Sequence, residues 1–224
     1  MKTCFCSVFF VIGGIHAVPA PFVNLGFENL GFEEARTNSL VPDPRISGAL
    51  WGPITDLLPG WQLSTGNIQV ENLGYNSPTT VIHPIEILRD DGIASPVVDR
   101  YSLLLIPLGQ HYSLTQRGHV PDEARFLSFT YSGYPFIASI NGQDVTRSNA
   151  PLVGQPVTIT GDISRFAGQT VDLTIRTSYP SIPGVGSSYR LYDITFMIPE
   201  PSTSALVAFG VVVMVACGLR RCLR

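Results

Sequence analysis

The sequence predicts an all-β protein, and three observations predict it. The chain of 224 residues is punctuated by 21 Gly and 18 Pro, which leaves few stretches long enough for an amphipathic helix. Several segments alternate apolar and polar residues, the period of a strand with one wet face. Asn141-Gly142 separates two such segments, and a type I′ hairpin turn needs positive φ at both central residues. Short strands between turn signals fit a sandwich or a barrel, and a single jelly-roll β-sandwich is the expectation.

Taken in chain order, the first element is not a strand. MKTCFCSVFFVIGGIHA has one Lys, an apolar run and a small residue at its end. That is the order of a secretory signal peptide, here residues 1–17, with cleavage between Ala17 and Val18. A cut after Ala20 would place Pro21 next to the scissile bond. The competing readings are a buried first strand and an uncleaved anchor. The pentapeptide NLGFE then occurs twice in succession, at 24–28 and 29–33. It reads as a local duplication without consequence, and no longer repeat accompanies it.

Strands are expected at 68–73, 102–107, 126–131, 136–140, 157–163, 171–177 and 189–197. In FLSFTY, Leu127, Phe129 and Tyr131 face one way; in VDLTIRT, Val171, Leu173 and Ile175 do. In RLYDITF, strict alternation sets Leu191, Asp193 and Thr195 against Tyr192, Ile194 and Phe196. YSLLLIP is apolar on both faces, which places it centrally in a sheet. Phe129, Leu173, Ile175, Ile194 and Phe196 are the expected core.

Residues 18–198 form the expected extracytoplasmic domain. They hold ten Arg, no Lys and sixteen Asp plus Glu, a formal charge of −6 (10 minus 16). An acidic, lysine-free domain is unsuited to phosphate backbones, so nucleic acid is excluded as a main partner. All four Cys (Cys4, Cys6, Cys217, Cys222) lie outside it. It therefore has no disulfide and no thiolate metal site, and stands on its core alone.

After residue 198 come Pro199-Glu200-Pro201-Ser202-Thr203, fifteen uncharged residues at 205–219, and Arg220, Arg221 and Arg224. Fifteen helical residues reach about 22 Å, short of a hydrocarbon core of about 30 Å; with flanking Ser, the expected transmembrane helix covers about 204–219. Arg220 and Arg221 in the tail 220–224 set the C-terminus in the cytoplasm and the domain outside. Pro199 and Pro201 lack the donor N–H that a strand needs and leave Glu200 on extended backbone.

This tripartite ending, residues 199–224, resembles the bacterial PEP-CTERM sorting signal. The resemblance implies an exosortase-type membrane protease as partner, which reads Pro199, Glu200 and Pro201 and releases or transfers the domain. It implies a membrane-tethered exported precursor that ends in the cell envelope or extracellular matrix. Cys217 and Cys222 are not part of that pattern. A permanent single-span anchor is the alternative.

A second resemblance covers the middle. Asn-Leu-Gly-Phe-Glu near its start, Leu58-Pro59-Gly60-Trp61, and Tyr192-Asp193-Ile194-Thr195-Phe196 near its end are similar to galactose-binding-like jelly rolls, which include many carbohydrate-binding modules. The resemblance implies a structural or adhesive domain that binds polysaccharide. It also implies a structural calcium shared by Glu28 or Glu33 and Asp193; calcium takes six to eight oxygens, and solvated acids at a sheet edge are the other reading. Trp51, flanked by Gly52 and Pro53, is the aromatic expected to stand exposed for a sugar ring, whereas Trp61 is expected in the core. His83, His111 and His119 stand singly, without zinc spacing. There is no Gly-x-Ser-x-Gly elbow, and Asp90-Asp91-Gly92 reads as a turn. An enzyme is not expected; a small glycan hydrolase or lyase is the alternative, resting on two facing carboxylates whose separation a sequence does not show.

Overall fold

The computed structural model describes residues 26–44, 47–76, 84–89, 101–106, 109–147, 152–178 and 188–199, with the side chains of 147 and 152–155 excepted. Two sheets account for most of them. The first has the order β1 (Val41–Pro42), β2 (Leu50–Pro53), β5 (Asn72–Tyr75), β6 (Ile85–Arg89), β7 (Tyr101–Leu105), β14 (Tyr189–Met197), β9 (Phe126–Gly133), β12 (Leu152–Asp162). The second has the order β11 (Gln143–Arg147), β10 (Phe136–Ile140), β13 (Thr170–Thr177), β8 (Tyr112–His119), β3 (Gln62–Thr65), β4 (Ile68–Gln69). Only β5 with β6 is parallel among the described pairings. From β7 onward every connection except the β10–β11 hairpin crosses between the sheets and closes one end of a β-sandwich.

One core fills the space between the sheets. Leu127, Phe129 and Tyr131 of β9 meet Phe136, Ala138 and Ile140 of β10 and Val171, Leu173 and Ile175 of β13, all buried. Tyr131 and Tyr189 of the first sheet each pack edge-on to Phe136 of the second, at 5.9 and 5.3 Å between ring centres. Such contacts add to the roughly 1.5–3 kcal/mol that each fully buried apolar side chain contributes. The five expected core residues are all buried. β7 lies between β6 and β14, the central place that its apolar faces require.

Three local expectations are corrected. Residues 68–73 are not one strand: β4 belongs to the second sheet and β5 to the first, and the chain changes sheet at Val70-Glu71. β14 does not alternate strictly. A bulge between Leu191 and Asp193 lets Leu191, Ile194 and Phe196 all face the core, leaving Asp193 half-buried on the other side. The bulge inserts one residue and so resets the phase of the strand. The NLGFE duplication also has a consequence. Phe27 of the first copy stacks on Phe196 at 5.1 Å, and Phe32 of the second packs on Trp61 at 6.3 Å; both are buried. Within 26–34 the chain forms turns rather than a strand, with Asn29 and Phe32 at positive φ, so two successive copies each reach the core.

The Asn141-Gly142 hairpin is present. Both residues have positive φ (49° and 76°), and Ile140 pairs with Gln143 across the turn. β14 defines the two ends of the molecule. Its first residue, Tyr189, pairs with Gly133, and its last, Met197, pairs with Phe126. Nine residues at about 3.3 Å each separate these ends by roughly 27 Å. Residues 1–25 and 200–224, where the signal peptide and sorting signal are expected, lie outside the described residues.

Candidate functional site

The outward face of the second sheet is a polar ladder. Gln62, Thr115, Thr174, Ser139 and Asp144 stand in register across five adjacent strands, with Ser139 buried and the other four accessible. At about 4.8 Å per strand, that row is about 19 Å long. Thr115 and Thr174 hydroxyls lie 3.2 Å apart. The next row runs from Gln69 through Ser64, Ser113 and Arg176 to Ile137. Two ion pairs lie on the face: Arg176 donates to both oxygens of Asp144 (2.9 and 3.1 Å), and Arg117 bonds Asp172 at 3.2 Å. Exposed pairs of this kind contribute only about 0–1 kcal/mol; their effect is to orient the guanidinium groups.

At the Tyr189 end this face runs into an open depression of about 340 Å³ lined by Gly66, His111, Ser113, Ile137, Arg176 and Ser178, with Tyr112 and Thr177 beneath. Its rim is braced by backbone. Gly66 N–H donates to the His111 carbonyl at 3.0 Å, and the Ser178 hydroxyl donates to the Pro135 carbonyl at 2.6 Å. His111 Nδ1 lies 3.3 Å from the Thr177 carbonyl. When Nδ1 carries the proton for that bond, Nε2 becomes an acceptor. A second depression, about 320 Å³, lies on the other side of Tyr112 and is lined by Thr65, Val70, Asn72, Pro84, Ile85 and Gln110. Thr65 donates to Gln110 across its mouth. Neither lining contains a carboxylate, so the described depressions offer no pair of facing acids for glycoside hydrolysis.

Tyr112 forms the wall between the two. It is buried, and its hydroxyl donates to the Ile106 carbonyl at 2.9 Å. Burial pushes its phenol up to about 12. Tyr75 is also pushed up to about 12, first by burial and then by its hydrogen bond with Tyr101. Both folded values stand above the roughly 10 of an unfolded tyrosine. The native state therefore holds these protons more tightly, so the stabilisation is full below about pH 10 and is lost as pH rises through about 12. The denaturation midpoint is expected to fall across that window, and less steeply in Tyr112→Phe. A midpoint that stayed flat to pH 12 would contradict the burial of these hydroxyls.

The residues singled out by sequence fall elsewhere. Trp51 is half-buried on β2 of the first sheet, its indole nitrogen shielded from solvent, and is not part of either lining. Trp61 is core, its indole N–H donating to the Asn29 carbonyl at 3.2 Å. Glu28 is exposed above Gly60, and its backbone exchanges two 2.9 Å hydrogen bonds with the Gln116 amide. Asp193 lies across Gly31 from Glu33: a Cβ on Gly31 would be 3.6 Å from both Asp193 Oδ1 and Glu33 Cγ. Asp193 accepts from Thr195 at 3.2 Å, and Glu33 from the Tyr101 N–H at 3.2 Å. Among the described residues no group of three or more His, Cys, Asp or Glu is gathered for a metal. Pro199 is exposed at the end of the described residues, while Glu200, Pro201, Arg220, Arg221, Ala17 and Val18 lie outside them. The depression itself had no sequence signal beyond scattered Ser and Thr.

The class that the fold defines is a two-sheet β-sandwich with a polar open face. No protein-family model matches the chain, and no curated protein matches it. Among solved structures it is similar to TmCBM61 in complex with β-1,4-galactotriose, with 13% identity over 77% of this chain and 97% of that one, at a TM-score of 0.43. It is similar to the CBM22-1 xylan-binding domain from Paenibacillus barcinonensis Xyn10C, with 11% identity over 83% and 100%, at 0.38. It is also similar to a cyclase from Fischerella sp. TAU, with 14% identity over 80% and 99%, at 0.45. The sandwich assignment rests on the two sheets themselves.

Proposed function

We propose that this chain is an exported jelly-roll protein, sorted through its PEP-CTERM-like ending and placed in the cell envelope or extracellular matrix, where it binds polysaccharide in an adhesive or structural role. The observation that carries the binding reading is the row of hydroxyl, amide and guanidinium groups on the second sheet, leading into the Ser113–Arg176–Ser178 depression. A sugar chain presents many hydroxyls that both donate and accept, and it is matched by a surface that does both. Ser and Thr hydroxyls do so, while Arg supplies donors in a fixed fork. Asp144 holds one nitrogen of the Arg176 guanidinium, so less freedom is lost when its other donors meet a ligand. The row's continuously accessible part, Gln62 through Thr115 to Thr174, spans three strands, about 10 Å.

The sorting reading rests on the order of its three parts at the chain end. The binding reading is tested by affinity electrophoresis of the protein through gels containing host polysaccharides. Arg176→Ala is expected to weaken retardation about tenfold or more, since a hydrogen bond from a charged donor contributes about 1.5–3 kcal/mol. Thr158→Ala, on the outer face of the other sheet, is expected to leave it unchanged. Equal retardation of both variants, or none for the parent on any polysaccharide, would remove the groove as a binding site and leave a scaffold.

A further inference from the structure

The end of the sandwich opposite the depression carries a group of exposed apolar residues. Five large hydrophobic residues are exposed there and elsewhere, and three of them sit together: Phe126 (38%), Met197 (39%) and Ile198 (45%). The other two, Val41 and Ile68, are on other strands. Single exposed apolar residues need no explanation; a group does. Phe126 and Met197 are direct cross-strand partners, and Arg125 N–H donates to the Met197 carbonyl at 3.0 Å, so the group is held on fixed backbone. Arg125 is exposed beside it, and Arg165 lies with its guanidinium 4.6 Å over the Phe166 ring in the adjoining loop.

We propose that this end rests on the lipid headgroup layer while the chain is tethered, with Phe126, Met197 and Ile198 dipping into the interface. The inference rests on reading 204–219 as a membrane helix. The occupant follows from the chain itself. Six residues, 199–204, separate Ile198 from the apolar run at Ala205, so the seven residue steps between them reach at most about 25 Å. The patch therefore cannot move far from the bilayer surface. Asp162, Asp122 and Glu123 share this end, and the Asp162 carboxyl is held below its ordinary value by hydrogen bonds from the backbone and side chain of Ser164 and then by Arg125 and Arg165. The end is thus not a basic anchor; its apolar side chains supply the contact, and a neutral lipid surface suffices. The polysaccharide depression then points away from the membrane, because β14 runs from that depression to this patch.

The test reconstitutes the full chain, with its four native cysteines replaced by serine, into phosphatidylcholine vesicles. Single spin labels are placed through Phe126→Cys, Ile198→Cys and, as reference, Ile68→Cys. Collision with oxygen, which enriches in lipid, is compared with collision with a water-soluble nickel chelate. Labels at 126 and 198 are expected to favour oxygen severalfold over the label at 68. If the chain floats with vesicles but all three labels give the same water-like ratio, the docking is refuted and the tether survives. Shielding of 126 and 198 from both reagents would put protein, not lipid, on the patch and refute it too. A chain that does not float with vesicles overturns the tether, and this inference with it.

Discussion

Gly133→Ala is expected to destabilise the sandwich by about 3–5 kcal/mol, at the extreme of what single substitutions do. Gly133 has φ +84°, and a Cβ there would lie 2.0 Å from the Ser188 carbonyl oxygen and 3.1 Å from its carbon. The obstacle is backbone of the neighbouring segment, so no side chain can swing aside. Gly133 also pairs with Tyr189 on one side and Leu152 on the other, which fixes it between β14 and β12. Gly142→Ala separates the two causes. Its φ is +76°, yet nothing lies within 4 Å of its Cβ position. That variant is expected to cost only the conformational penalty, about 1 kcal/mol. Denaturant midpoints at unchanged slope would measure both. Similar losses in the two variants would mean that β9 and the Ser188 segment are not in close contact. Because Pro135 accepts from Ser178 at the rim of the depression, Gly133→Ala is also expected to loosen glycan binding.

The sequence made the strands with one clean apolar face legible, and physical reasons hid the others. β8, YSLTQRGH, alternates, but its inward positions end in Gln116 and Gly118 instead of apolar residues. Both are explained by the N-terminal segment lying over the strand. Gln116 bonds both backbone groups of Glu28, and a Cβ on Gly118 would meet Phe27 at 2.5 Å and the Gly26 carbonyl at 2.6 Å. β6 contains Glu86, which is wholly buried and so breaks the apolar run that would mark the strand. β14 was placed correctly but phased wrongly after Leu191, because a bulge leaves no mark on composition. The candidate site was less legible. Trp61 is buried, as its place after Pro59-Gly60 implies, but Trp51, the aromatic expected to stand exposed, is half-buried on the first sheet and away from both depressions. The row on the outer face is made of Gln62, Thr115, Thr174, Asp144 and the buried Ser139, residue types that look the same in any loop. Only the register across five strands turns them into a surface.

Glu200→Ala is expected to leave membrane insertion intact and to block release, so that full-length protein accumulates in the membrane fraction. The expectation rests on a division of labour within the proposed signal. Pro199-Glu200-Pro201 has chemical specificity and no affinity for lipid, while the run at 205–219 has affinity and no specificity. Pro199 is exposed where the described residues end, immediately after β14 has finished pairing at Met197. Pro199 itself therefore stands beyond the described pairing of the sheet. Arg220 and Arg221 act on a different property. Each resists transfer to the bilayer centre by about 2.5–3.5 kcal/mol, so neutralising both is expected to disturb orientation and retention rather than cleavage. Mass spectrometry of the mature protein from its host reads both ends at once: a start at Val18 and loss of the C-terminal segment in the parent, and a retained segment in Glu200→Ala. If the variant matured and distributed like the parent, the triplet would be incidental. The ending would then be a permanent anchor, and the patch at Phe126 and Met197 would face lipid for the life of the protein.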